Sequence, residues 1–475
     1  MAVFYNEGEV KPRPGVYQRH TNTGFNSTTS SQDGFCAIPI KAKWGPLGKV
    51  VRNIVASDLT KTYGSGSYDA AHTVPAAVAM FDGGASVVYT YRLGTGGKAA
   101  SKKIGALESD LTVTAKYVGT MPISVAVQQK LGDDTQKKFQ VYAGNSLVEE
   151  FLFAADSSSE GANLATAAAN SKYVTVTGSA ATVEILAAAS GALEGGEDPK
   201  VANENYSTAF SAFERYFYNT IALDVDDPDM TLSTLLATYL ANAYKLGKQA
   251  IAVVGDKASV AFETRCSHAK KFNDCKVVYL GGGWMSGAES KDGVMAICYT
   301  AGVIAATPSN QSIVHTVIGG ATDLCGDPLT FAQYEDAISS GMLLASMSSD
   351  GSIWYDSGIN TLITPDDSTQ DIGWKKIRRT KVRFELIDRI DRALQPKVGR
   401  VSADSDGVSD IVQAGQRVLD TMAGSEGKLM SGATFMVDPD NPANGDSAWF
   451  IIQADDIDSL EKIYLQYQFR YSQNS

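Results

Sequence analysis

Between residues 221 and 280, short apolar runs alternate with amphipathic stretches, and this limits the fold more than any other feature of the chain. Residues 221–225, 250–254 and 276–280 are the apolar runs and read as strands. After the first, Leu232, Leu235, Leu236, Tyr239, Leu240 and Ala243 recur at i, i+3, i+4, i+7, i+8 and i+11, a helical apolar stripe. Asp227 is placed to cap that helix, Pro228 to occupy its first position and Gly247 to stop it. Residues 259–272 predict a second helix. Strand, helix, strand, helix, strand requires a parallel sheet with covering helices. Further helices are predicted over 294–306 and 330–346.

Around this core the style changes. Residues 35–40 and 86–92 predict early strands, with a Trp44-Gly45-Pro46 loop between them and a short helix at 76–80 that Gly83-Gly84 ends. From about 98 to 199 the chain offers short β-type runs at 111–117, 123–127, 138–142 and 173–177, separated by turn residues, with a short helix at 163–170. Gly191, Gly195, Gly196 and Pro199 close it with linker composition. We read an inserted β-rich module. Beyond 350, residues 353–355 and 360–363 predict short strands and 408–422 a helix. Residues 374–394 fit two patterns: Val382, Phe384 and Leu386 alternate as a strand, whereas Ile387, Ile390 and Leu394 space as a helix. Residues 448–452 are apolar on both faces, as in a covered central strand.

The two ends share a character. In the last stretch Ile463, Leu465, Tyr467, Phe469 and Tyr471 fall on one side of an extended chain, and Lys462, Tyr464, Gln466, Gln468 and Arg470 on the other. No proline or block of like charge blunts it as an edge strand. It either closes its own sheet or adds to a neighbour's. At the other end, residues 1–22 form a polar arm with Pro12, Pro14 and Gly15, yet Val3, Phe4, Val10, Val16 and Tyr17 are more apolar than a solvated tail needs.

A net charge of -12 argues against nucleic acid or anionic membrane as a direct partner. No apolar run approaches the ~20 residues that span a bilayer, and residues 1–10 carry no signal-peptide core, so a soluble chain made in the cytoplasm is expected. Five cysteines, unevenly spaced, fit reduced buried thiols. The search for chemistry finds little. Gly281-Gly282-Gly283 follows a strand but lacks phosphate-loop spacing. Cys266, His268 and Cys275 lack a fourth ligand close by, as a zinc site requires. Asp224, Asp226, Asp227 and Asp229 crowd a strand end where a metal-dependent α/β enzyme would place magnesium, although capping and solvated turns account for them too. No cofactor is expected. The one concentrated basic feature is the run 375–383, with Lys375, Lys376, Arg378 and Arg379; it is either a solvated face or the meeting place for an acidic partner.

The order of several short motifs resembles the contractile-tail sheath proteins of bacteriophages and of phage-like particles of Gram-positive bacteria. The motifs are Arg13-Pro14-Gly15-Val16-Tyr17, Trp44-Gly45-Pro46, Tyr91-Arg92-Leu93 with Gly97-Lys98-Ala99, and Ala115-Lys116-Tyr117. Near the end come Lys397-Val398-Gly399-Arg400-Val401 and Asp458-Ser459-Leu460-Glu461-Lys462-Ile463-Tyr464. Where the family commonly continues with Pro-Gly and Gly-Asn, this chain has Val118-Gly119 and Met121-Pro122.

The resemblance implies a non-enzymatic structural subunit that forms stacked hexameric rings around an inner tube and contracts to drive the tube through a cell envelope. It implies that Val3, Phe4, Val10, Val16 and Tyr17, with Ile463, Leu465, Tyr467, Phe469 and Tyr471, add strands to neighbouring subunits. Its partners would be further copies, the tube protein, and baseplate and tail terminator proteins, in a virion tail or phage-like particle assembled in the bacterial cytoplasm. Either the basic run or the 408–422 helix, through Arg417, would face the tube. The expected division is an arm (1–22), an α/β body (23–97 with 200–355), an outward β-rich module (98–199), an α+β assembly domain (356–460) and a terminal strand (461–475). A metal-dependent enzyme at 224–229 and a secreted surface-layer protein are the competing readings.

Overall fold

The computed structural model describes residues 32–64, 66, 68–104, 111–156, 158–178, 190–366 and 370–469, with the backbone of Val3–Phe4 and Tyr17–Gln18. Its centre is a seven-stranded sheet in the order Met342–Leu343, Val277–Leu280, Ile251–Gly255, Thr220–Ala222, Phe35–Ile40, Val87–Arg92, Val50–Asn53. Every neighbouring pair is parallel except the last. The inner strands are largely apolar on both faces because both faces are covered. Helices Val74–Asp82 and Val294–Ala306 pack on one side, and Val294–Ala306 is apolar nearly all round because most of it lies inside. Helices Asn203–Phe213, Thr231–Lys245 and Phe262–Phe272 cover the other.

The β-rich excursion leaves and rejoins this sheet through a two-stranded neck, with bridges Thr95 to Lys200, Lys98 to Glu197 and Ser101 to Glu194. It holds a four-stranded and a three-stranded sheet around its own apolar cluster, including Leu111, Val113, Phe139 and Val141. Buried Arg92 ties it to the body by donating to the carbonyls of Ala42, Gly45 and Val118 at 2.7–2.9 Å. The helices Ile377–Leu394 and Ser405–Ala423, with the antiparallel pair Thr434–Val437 and Phe450–Gln453, enclose a smaller core of Val382, Ile390, Val418, Leu419, Met422, Leu429 and Phe435.

Several expectations need correcting. The helix predicted over 330–346 ends at Ser339; Gly341 takes a positive φ of 75° and the chain continues as short strands. Residues 374–394 resolve as one helix, Ile377–Leu394. Its strand-like alternation arises because the helix is buried on two sides: Ile377 and Phe384 enter the main core, Val382 and Ile390 the smaller one. The helix after Asp227 starts at Thr231, not at Pro228, and the Asp227 carboxylate accepts from Ser233 N at 2.6 Å. Residues 360–363 form no strand. The run 448–452 is not a covered central strand: Phe450–Gln453 lies in a two-stranded sheet with Ile452 41% exposed. Finally, 461–469 adopt no strand.

Candidate assembly surfaces

The small sheet near the C-terminus has one capped edge and one that is open among the described residues. Asp438 N donates to Trp449 O, which makes that pair hydrogen-bonded. Antiparallel pairs alternate, so the amides of Phe435 and Val437 on one strand, and of Phe450 and Ile452 on the other, point outward. Phe435 N donates to the Gln416 side chain at 2.9 Å, and Gln416 also donates to Ala433 O, so a helix covers this edge. The outward amides of Phe450 and Ile452 have no partner among the described residues. Beside them lies an apolar groove of ~790 Å³, lined by Trp374, Leu386, Ile390, Leu394, Val398 and Ile452 among others.

The segment leading to the terminal arm is held tightly. Asp456 accepts from both Arg379 and Arg383; Arg379 Nη2 lies at 3.0 Å and Arg383 Nη2 at 2.9 Å. Burial alone would raise the Asp456 carboxyl, but the two guanidinium groups outweigh it and hold the group below its ordinary value. Lys376 Nζ bridges Asp458 at 2.7 Å and Glu461 at 3.0 Å. Arg378 donates to Ile457 O, Ile457 N to Lys428 O, and Ser312 to Glu461. After Glu461 the holding stops. Ile463, Leu465, Tyr467 and Phe469 are 70%, 70%, 73% and 93% exposed, and pair with no strand of their own chain among the described residues.

The remaining expected residues are distributed as follows. Val3–Phe4 pairs in parallel with Tyr17–Gln18, Val3 opposite Tyr17; Val10, Val16 and Tyr471 lie outside the described residues. Lys375 donates to Ile338 O, and Lys376, Arg378 and Arg379 bind the arm root, so the basic run is engaged within its own chain. Arg417 is exposed on the wet face of Ser405–Ala423 with Asp406, Ser409, Gln413 and Asp420. Sequence reasoning overlooked Asp456, Gln416 and the open edge at Phe450 and Ile452. The signal available was the acidic run 455–458 following the basic run at a distance.

The strand end at 224–229 serves the fold. Buried Asp224 accepts from Thr73 at 2.5 Å and Tyr206 at 2.7 Å, and burial raises its carboxyl. Asp226 pairs with Lys257 at 2.8 Å and accepts from Val294 N. Among the described residues no three His, Cys, Asp or Glu side chains group closely enough to hold a metal ion. His268 bonds Asp256 at 2.7 Å, and burial pushes the Cys36 and Cys275 thiols up to about 12. Among the described residues no helix is long and apolar enough to cross a membrane.

Residues 199–357 match the phage tail sheath protein central domain. The uncharacterised protein YqbK of Bacillus subtilis is 25% identical over 378 residues, covering 75% of this chain and 74% of YqbK. The phage-like element PBSX protein XkdK of the same organism is 26% identical over 243 residues, 49% of this chain and 50% of XkdK. Among solved structures, the sheath tail protein of Desulfitobacterium hafniense superposes with a TM-score of 0.69 at 19% identity, over 93% of this chain and all of that one. The sheath tail protein Lin1278 of Listeria innocua gives 0.68 at 18% identity, over 90% and 98%. The contracted helical sheath of the anti-feeding prophage gives 0.53 at 15% identity, over 97% and 99%. The protein therefore carries the phage tail sheath central domain within the fold of the tail sheath proteins.

Proposed function

We propose that this protein is the structural, non-enzymatic subunit of a contractile tail sheath, polymerising as stacked hexameric rings around an inner tube and linked by exchange of its terminal arms. The observation that carries the reading is the pairing of two unsatisfied features in one subunit. An alternating apolar strand sequence stands exposed after Glu461, and an open sheet edge at Phe450 and Ile452 borders an apolar groove. An added strand satisfies the outward amides and buries the row of Ile463, Leu465, Tyr467 and Phe469. The arm belongs in a neighbouring subunit's edge, and the N-terminal arm, with Val3, Phe4, Val10, Val16 and Tyr17, adds to the same assembly. Residues 23–97 with 200–355 form the sheath body, 98–199 the outward module and 356–460 the assembly domain. Its partners are further copies, the tube protein, and baseplate and terminator proteins of a virion tail or phage-like particle. Contraction, the state captured in the similar prophage sheath, moves rigid bodies while the exchanged strands persist.

The test is a chain truncated after Glu461, examined by negative-stain microscopy beside the intact protein. The truncated subunit is expected to fold and to form no long hollow tubes. Normal tubes from it would refute arm exchange.

A further inference from the structure

The basic run leaves a question: four cations engaged on the C-terminal root do not explain Lys381, whose side chain points the other way. Arg379 and Arg383, at i and i+4, lie on one face of the helix, with Lys376 at its N-cap. Lys381 lies on the opposite side, where it donates to Ile304 O at 2.6 Å and to Thr307 O. It also stands 4.0 Å from Asp33. Asp33 stands two residues before Phe35–Ile40, the strand through which the chain first enters the central sheet, and Gly34 N next to it donates to Ala305 O. Gln32, Asp33, Lys381 and Glu385 all line a small cavity of ~40 Å³ between the body and this helix. The same helix sends Ile377 and Phe384 into the main core and Val382 and Ile390 into the smaller one.

We infer that Lys376 and the first two turns of the Ile377–Leu394 helix are a common mooring for both arms, holding the C-terminal root through Lys376, Arg378, Arg379 and Arg383 and the N-terminal root through Lys381. The inference rests on the arm-exchange reading and adds to it a load path. The moored stretch covers only about 10 Å of helix. Beyond Glu461 the remaining fourteen residues, 462–475, reach about 46 Å when extended. A pull on one arm from a neighbouring subunit is thus delivered to the other arm through two helical turns, without crossing the central sheet. The ion pairs hold the two roots side by side on one short stretch of helix. The partner at each end is a second copy of this chain.

The experiment reads hydrogen exchange in the unassembled full-length subunit and then assembly. Asp458→Lys with Glu461→Lys reverses the charges facing Lys376 at a partly exposed site. Exchange in a peptide covering 455–461 is expected to quicken about tenfold, with the rest of the map and the melting temperature unchanged. Tube formation should fall, and adding Lys376→Glu should restore both. Lys381→Met should quicken exchange around residues 32–36 and around the 304–307 helix end it also bonds, and unchanged exchange at 32–36 would remove the N-terminal half of the mooring. Should the double lysine variant fail to fold, Lys376→Met is measured in its place, since it keeps the side-chain stem and removes the charge. Unchanged exchange at 455–461 would overturn the mooring, and so would quickened exchange with wild-type tubes. Because exchange is measured before assembly, these outcomes are distinct from tubes formed by the chain truncated after Glu461, which would remove arm exchange instead.

Discussion

Lys381 is a group through which pH acts on the junction between the central sheet and the Ile377–Leu394 helix. Burial lowers its ammonium from 10.5 to about 8, against the opposing pull of Asp33 and Glu385. In the unfolded chain the proton is kept to the higher value. Between about 8 and 10.5 the unfolded state therefore binds more protons, and this group makes stability rise with pH across that window. Below about 8 both states are protonated and the slope vanishes. Lys381→Met is expected to lack the rise, which denaturant midpoints of both chains on either side of the window will show. Gly119 makes a second residue-scale case. Its φ is +137°, and a Cβ there would sit 2.0 Å from the Lys43 carbonyl oxygen. Gly119→Ala should cost about 2–4 kcal/mol in urea unfolding, because both backbone conformation and space forbid it. The sequence shows a glycine at 119 beside Val118, but the close approach to Lys43 comes from a contact 76 positions away and leaves no local mark.

At the scale of elements, what could be read from the sequence depended on how each element is buried. The body strands at 220–222, 251–255 and 277–280 were legible because strands covered on both faces are continuous apolar runs, and the helix between the first two shows an uninterrupted stripe. Val294–Ala306 was legible to its exact ends for the same reason. The Ile377–Leu394 helix was not, because two cores share it and its apolar positions belong to two stripes. Residues 448–452 misled by the same logic: their hydrophobic character suits a covered strand, yet the strand's outer edge is open. That edge gives an element-scale prediction. The Ile452 amide points away from Thr434–Val437, so Ile452→Pro removes an outward donor and leaves the existing ladder intact. The variant subunit should unfold within about 1 kcal/mol of the wild type and fail to form tubes. Tubes of normal length would mean that this edge is not where an arm is received.

For the whole molecule, the charge balance limits where the proposed tube contact can lie. The chain carries a net charge of -12, and its one dense basic run is turned inward on Asp456, Asp458, Glu461 and the Ile338 and Ile457 carbonyls. A sequence shows that cations cluster but not which carboxylates return to meet them, since Asp456 lies 73 to 77 positions downstream of its two arginines. Of the five residues chosen from the sequence as tube-facing, Arg417 is the one presented to solvent, on the wet face of Ser405–Ala423. A lone exposed cation among Asp406, Gln413 and Asp420 steers and orients a partner more than it holds one. Arg417→Glu should therefore leave the subunit's melting temperature unchanged and slow assembly on purified inner tubes about tenfold at low ionic strength. The difference should shrink as salt is added, because contacts at an exposed rim are screened beyond ~10 Å. Assembly in the absence of tubes should be the same for both chains, which separates a tube contact from a contact between sheath subunits. Equal rates on tubes at low salt would move the tube-facing surface off this helix.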